Sequence, residues 1–167
     1  MHAALEFFFI GYNLAVFNPM IRAMIVIFDW DKENIESLTA ICSAIIPIGA
    51  LFGGILTGII ANKIGRKRTI IVIDIIGMIG AGISCIGYTE SYLVGKFLMG
   101  FAVGGFSTVV PVYIEEFVPI SLVGKYGMIN FFFFSIGVVI SFLLGLPLEN
   151  QGDNIDKESN WWRFMII

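Results

Sequence analysis

Polar residues are sparse along this chain, and long apolar runs rather than strict alternations organise it. From residue 3 to 28 the sequence is apolar apart from Glu6, Asn13, Asn18, Pro19 and Arg22. Similar runs follow at about 38–61, 69–88, 92–114 and 124–146, and another starts at Trp161. Roughly 20 apolar residues in a helix suffice to cross about 30 Å of hydrocarbon. The pattern therefore predicts an all-α membrane protein with five full spans and the start of a sixth, the first span tilted or kinked at Pro19. A signal peptide is the competing reading of the first run. The missing basic lead-in, the length of the run and the polar residues in its middle speak against it.

Charge in the connectors sets the orientation. The stretch at 29–36 and the stretch at 149–160 are acidic, the latter through Asp153, Asp156 and Glu158. Between the second and third runs lie Lys63, Arg66, Lys67 and Arg68, and the fourth connector ends in Lys125. Basic short loops stay on the cytoplasmic side, which places these two connectors and the N-terminus there and the acidic ones opposite. Two flanking spans pin the basic cluster to a membrane surface, so a nucleic-acid patch is not expected.

Composition sharpens the class. Of 167 residues, 57% are hydrophobic and 14% charged, and the mean hydropathy is +0.90, whereas soluble domains are nearer 25% charged. A net charge of −3 argues against a polyanionic partner. Cys42 and Cys85 sit inside apolar runs and read as small core residues, with neither a disulfide framework nor a metal spacing. No nucleophile, base and acid set and no phosphate loop is present, so neither an enzyme nor a cofactor is expected.

Small residues recur at four-residue spacing: Gly49 and Gly53, Gly54 and Gly58, Gly100 and Gly104, then Gly137, Ser141 and Gly145. On helices these faces let backbones approach closely and predict a compact bundle. Glu6 and Asp74 are acids within spans, and such groups are functional candidates, here as possible proton sites. Asp74 also stands near enough to the basic connector to pair with it. Arg66 or Arg68 bridging to Glu116 would make a pair that closes and opens an inner gate.

Certain motifs carry a family resemblance. The second connector reads Gly53-Gly54-Ile55-Leu56-Thr57-Gly58, then Asn62-Lys63-Ile64-Gly65-Arg66-Lys67-Arg68. Run four holds Gly95-Lys96 and ends Pro111-Val112-Tyr113-Ile114-Glu115-Glu116-Phe117-Val118-Pro119, and Trp161-Trp162-Arg163 opens the last run. In order and spacing these resemble the N-terminal half of the sugar porter family of the major facilitator superfamily. The resemblance implies a six-helix half-bundle that transports a hexose or related sugar or polyol by alternating access. It also implies Gly58, Asn62, Arg66, Arg68 and Glu116 as gate residues and Asn13, Ser107, Thr108, Asn130 and Phe134 as substrate contacts.

The departures from the pattern are specific. Asn62 stands where the family has Asp, Lys96 where it has Arg, Val123 where it has the Arg of an Arg-Gly pair, and Phe131 where it has a sugar-contacting Gln. Asn13 stands where proton-coupled members carry Asp, and an amide does not titrate, so facilitated diffusion is expected. The porters have two six-helix halves, so this chain is expected to be an incomplete copy whose partner is a missing C-terminal half. The alternative is a decayed, non-transporting half-transporter serving as a structural subunit among neighbouring membrane subunits. Its other expected contacts are the lipid bilayer, with the plasma membrane favoured for a porter, and no nucleic acid.

Overall fold

The computed structural model describes residues 2–27, 35–86 and 88–150, in which the chain forms six helices and no strand. These are α1 (His2–Ala15), α2 (Phe17–Ile27), α3 (Ile35–Ile64), α4 (Arg66–Ser84), α5 (Thr89–Phe117) and α6 (Ile120–Asn150). The sixth run from Trp161, the acidic stretch at 29–34 and the side chain of Arg22 lie outside the described residues.

The first run is divided by a turn at Val16, just ahead of Pro19, where a kink was expected. The proline ring clashes with the carbonyl four residues back and supplies no N–H to it, so the ladder is weakest just before residue 16. The third run also differs from expectation, because α4 starts at Arg66 and takes Arg66, Lys67 and Arg68 into its first turn. Only Gly65 separates α3 from α4, with φ 90° and ψ 149°, a conformation that suits a residue without Cβ.

Four described helical stretches are long and apolar enough to cross a membrane: Ala3–Ile21, Ile35–Ile64, Thr89–Phe117 and Ser121–Leu146. α4 is not one of them, because it carries Arg66, Lys67, Arg68 and Asp74 within 19 residues.

Helix α5 lies at the centre, packed chiefly against α3 and α4, while α1 pairs with α6 and touches α5. Glycine determines the closest approaches. A Cβ on Gly53 would meet the carbonyl oxygen of Phe101, and one on Gly104 that of Ala50, so α3 and α5 cross backbone to backbone. The α1–α6 contact repeats this arrangement, Gly11 lying on the Phe134 carbonyl and Gly137 on that of Phe8. Gly54 and Gly58 behave differently, since they face the side chain of Thr108 with more room.

Two buried apolar clusters fill the bundle. Val16, Met20, Met24, Cys42 and Tyr92 form one, and Ile10, Ala102, Phe106, Val110 and Ile114 belong to the other. Cys42 is buried and Cys85 half-buried, both as free thiols. Leu51, Phe52, Ile55 and Ile59 on α3, and Phe132 and Leu143 on α6, remain exposed. Such continuous apolar surface belongs against lipid or another protein rather than water.

Candidate gate and cavities

The basic first turn of α4 and the acidic end of α5 meet at one end of the bundle. Arg66 Nη2 lies 2.8 Å from Glu116 Oε1, an ion pair in which the side chains are 29% and 43% exposed. The one-residue Gly65 link sets Arg66 at the head of α4, and α5 continues past Pro111 to Phe117, delivering Glu116 in its last turn. Arg68 is exposed and makes no ion pair among the described residues. Arg66 also lines a cavity of about 240 Å³ with Gly58, Asn62 and Thr108, so the expected gate residues other than Glu116 and Arg68 share one wall.

The expected substrate contacts do not come together in one place. Ser107, Asn130 and Phe134 line a cavity of about 410 Å³ between α1, α5 and α6, together with Phe7, Glu115 and Phe131. Thr108 lines the gate-side cavity, on the opposite flank of α5. Successive helical residues point about 100° apart, and here Ser107 turns toward α6 while Thr108 turns toward α3. Each hydroxyl donates to the Gly104 carbonyl, at 2.9 and 3.0 Å. Asn13 is buried, and its amide nitrogen donates to the Phe9 carbonyl at 3.2 Å while its oxygen has no hydrogen-bond partner among the described residues.

Glu6 and Asp74 share a third cavity, of about 510 Å³, with Phe9, Gly77 and Phe106. They also border a smaller space of about 260 Å³ that Lys67 and Tyr113 reach. Glu6 is buried and Asp74 exposed, so the two acids occupy different depths of one groove.

Two side chains acquire weight only in the structure. Lys96 is wholly buried, with its ammonium 5.6 Å from the ring centroid of Tyr92 and no hydrogen-bond partner among the described residues. The four-residue spacing of Tyr92 and Lys96 on one helix was the available signal. Glu115 lines the cavity between α1, α5 and α6, whereas its neighbour Glu116 is engaged by Arg66. The signal there was a doubled acid whose members must diverge around the helix. No group of three or more His, Cys, Asp or Glu able to hold a metal occurs among the described residues.

Apolar helices crossing at glycine seams, a basic and an acidic helix terminus paired at one end and cavities opening between helices define an integral, multi-pass membrane protein of the transporter class. The chain belongs to the family described as sugar (and other) transporter, which it matches over residues 1–167, and it corresponds to the N-terminal half of a major facilitator sugar porter. It is 29% identical over 165 residues to the probable plastidic glucose transporter 1 of Arabidopsis thaliana, covering 98% of this chain and 30% of that protein. It is 31% identical over 150 residues to the solute carrier family 2 facilitated glucose transporter member 5 of Mus musculus, covering 81% of this chain and 30% of that one. The D-xylose-proton symporter has the same fold, with a TM-score of 0.85 at 23% identity over 98% of this chain and 43% of its own. The chain thus spans about 30% of the length of these curated relatives. The relatives are transporters, not enzymes.

Proposed function

We propose that residues 1–167 form the N-terminal half-bundle of a transporter that moves a hexose or related sugar or polyol by alternating access, with five spans and the start of a sixth. The N-terminus, the α3–α4 junction and the α5–α6 junction are assigned to the cytoplasmic side, in agreement with the basic residues there. In this reading α4 is the third span despite its charges, with its basic first turn at the membrane surface. The observation that carries the reading is the Arg66–Glu116 pair. Both members are partly exposed, so when helix ends part, each charge is hydrated rather than stranded in hydrocarbon. A closure that reforms at low cost is what alternating access requires.

Facilitated diffusion is the mode this reading assigns. Asn13 cannot carry a proton, and one similar relative is named a facilitated glucose transporter. The test is uptake of radiolabelled glucose by the full-length protein in proteoliposomes, with and without an imposed pH gradient. Equilibration to equal concentrations in both conditions supports it. Gradient-driven accumulation would refute facilitation and direct attention to Glu6 and Asp74.

A structural subunit derived from a porter is the second reading, favoured by Asn62, Val123 and Phe131 at positions the family uses for charge or sugar contacts. The intact mass of the native polypeptide separates the two. A mass near the 18.5 kDa of this chain, found only within a larger membrane assembly, would favour the subunit.

A further inference from the structure

We propose that the cavity between α1, α5 and α6 recognises a monocationic, amine-bearing sugar or polyol, with the Glu115 carboxylate as its counter-charge. The inference rests on the transporter reading above and specifies the substrate class of that site.

The cavity, of about 410 Å³, falls in the size range of small-molecule sites. Glu115, exposed at the mouth of the cavity, is the one charged residue in its lining among the described residues, and it has no ion-pair partner among them. The adjacent Glu116 turns away to Arg66, so the doubled acid divides into one gate carboxylate and one cavity carboxylate. Val123 lines the same space at the position where the resembled pattern has arginine. Val123 is apolar and supplies no positive charge, so the described lining carries Glu115 alone and is net negative.

The remaining walls suit a cation carried on a partly apolar body. Phe7 and Phe131 form a tilted pair with ring centroids 6.2 Å apart, and Phe134 adds a third ring. Aromatic faces attract ammonium groups through their quadrupole and pack against the C–H faces of a sugar ring. Hydroxyls need polar partners, and Asn130 supplies one. It is only 5% exposed, lines the cavity and makes no hydrogen bond to a described residue, so both its donors and its acceptor are available. Ser107 donates to the Gly104 carbonyl and keeps its oxygen as an acceptor. A neutral sugar would use Asn130 and Ser107 but leave the carboxylate without a partner.

The experiment compares D-glucosamine with D-glucose, which differ at one amine, in uptake by the full-length protein in proteoliposomes. Mildly acidic buffer keeps the amine protonated, and equal potassium with valinomycin removes any voltage that would bias a cation. The expected KM for glucosamine is roughly tenfold below that for glucose, the scale of one charge-assisted hydrogen bond. Glu115→Gln should bring the two KM values together, while Glu115→Asp, which keeps the charge, should retain most of the preference. Equal KM values in the unaltered protein, or a Glu115→Gln change that weakens both sugars by the same factor, would overturn the proposal while leaving the transporter reading intact. Uptake of neither sugar would overturn the transporter reading and this inference with it.

Discussion

Arg66 occupies the first position of α4 and Glu116 the last turn of α5, so their 2.8 Å contact joins two charges that each stand at the helix end least suited to them. A helix N-terminus favours negative charge and a C-terminus positive charge. Pairing relieves both mismatches together, and separation exposes each charge again to an adverse dipole. The contact is therefore biased toward the paired state by more than the attraction of its two groups.

This arrangement makes charge reversal informative. Single reversal at Arg66→Glu or Glu116→Arg places like charges together, and each should destabilise the bundle. Combining both restores the pair in the orientation the helix ends favour, with a gain of about 0.3–1 kcal/mol for each charge. Thermal unfolding in detergent checks this, and the double variant should melt at or above the parent protein. A double-mutant cycle with neutral substitutions should give a coupling of only about 0.2–1 kcal/mol, since both side chains are partly exposed.

Steric demand separates the glycines. Gly104→Ala should destabilise by about 1–3 kcal/mol, because the new methyl meets the Ala50 backbone and the helices must move apart. Gly58→Ala should be nearly neutral, its nearest neighbour being the Thr108 methyl at 3.7 Å. Parallel unfolding curves of the two variants check the difference.

At Gly65 the obstacle is conformational. Nothing lies within 4 Å of a Cβ placed there, yet φ is 90°. Gly65→Ala should still cost about 1–3 kcal/mol through backbone strain. Thermal unfolding of this variant beside Gly58→Ala isolates the contribution of φ, as neither introduces a clash.

Much of this design is visible in the sequence, and the losses have identifiable causes. Charge placement alone suggested that Arg66 or Arg68 would face Glu116, because charges at span ends have few places to go. It could not choose between the two arginines, whose directions depend on where α4 begins. Gly65 decides that by starting the helix at Arg66. Ser107 and Thr108, both expected as substrate contacts for their polarity, line different cavities, a split set by the direction of each side chain and not by residue type. Identical spacing likewise hid the difference between the Gly100 and Gly104 pair and the Gly54 and Gly58 pair, since a small residue permits a close approach without requiring a partner backbone.

Asn13→Asp addresses energetics. The amide is buried, and its oxygen is unpartnered. Replacing it with a group that titrates should make glucose uptake respond to an imposed pH gradient that leaves the parent protein unaffected. Initial rates in proteoliposomes at matched and unmatched pH are the measurement.

Phe131→Gln addresses affinity for neutral sugars. The ring lines the cavity with Asn130 and Ser107, and an amide there would add a donor and an acceptor. A gain of about 1 kcal/mol, a roughly fivefold lower KM for glucose, is expected. Competition by unlabelled glucose reads it directly.

The backbone contacts at Gly53, Gly104, Gly11 and Gly137 carry a mechanical consequence. Where carbonyl meets Cα with no side chain between them, there is no compliant layer to absorb bending, so α3 turns with α5 and α1 turns with α6. In the proposed transport cycle such a body behaves as a lever. Displacement at the Arg66 end is then carried toward the Tyr92 end, and the pivoting falls at its boundary with whatever it works against.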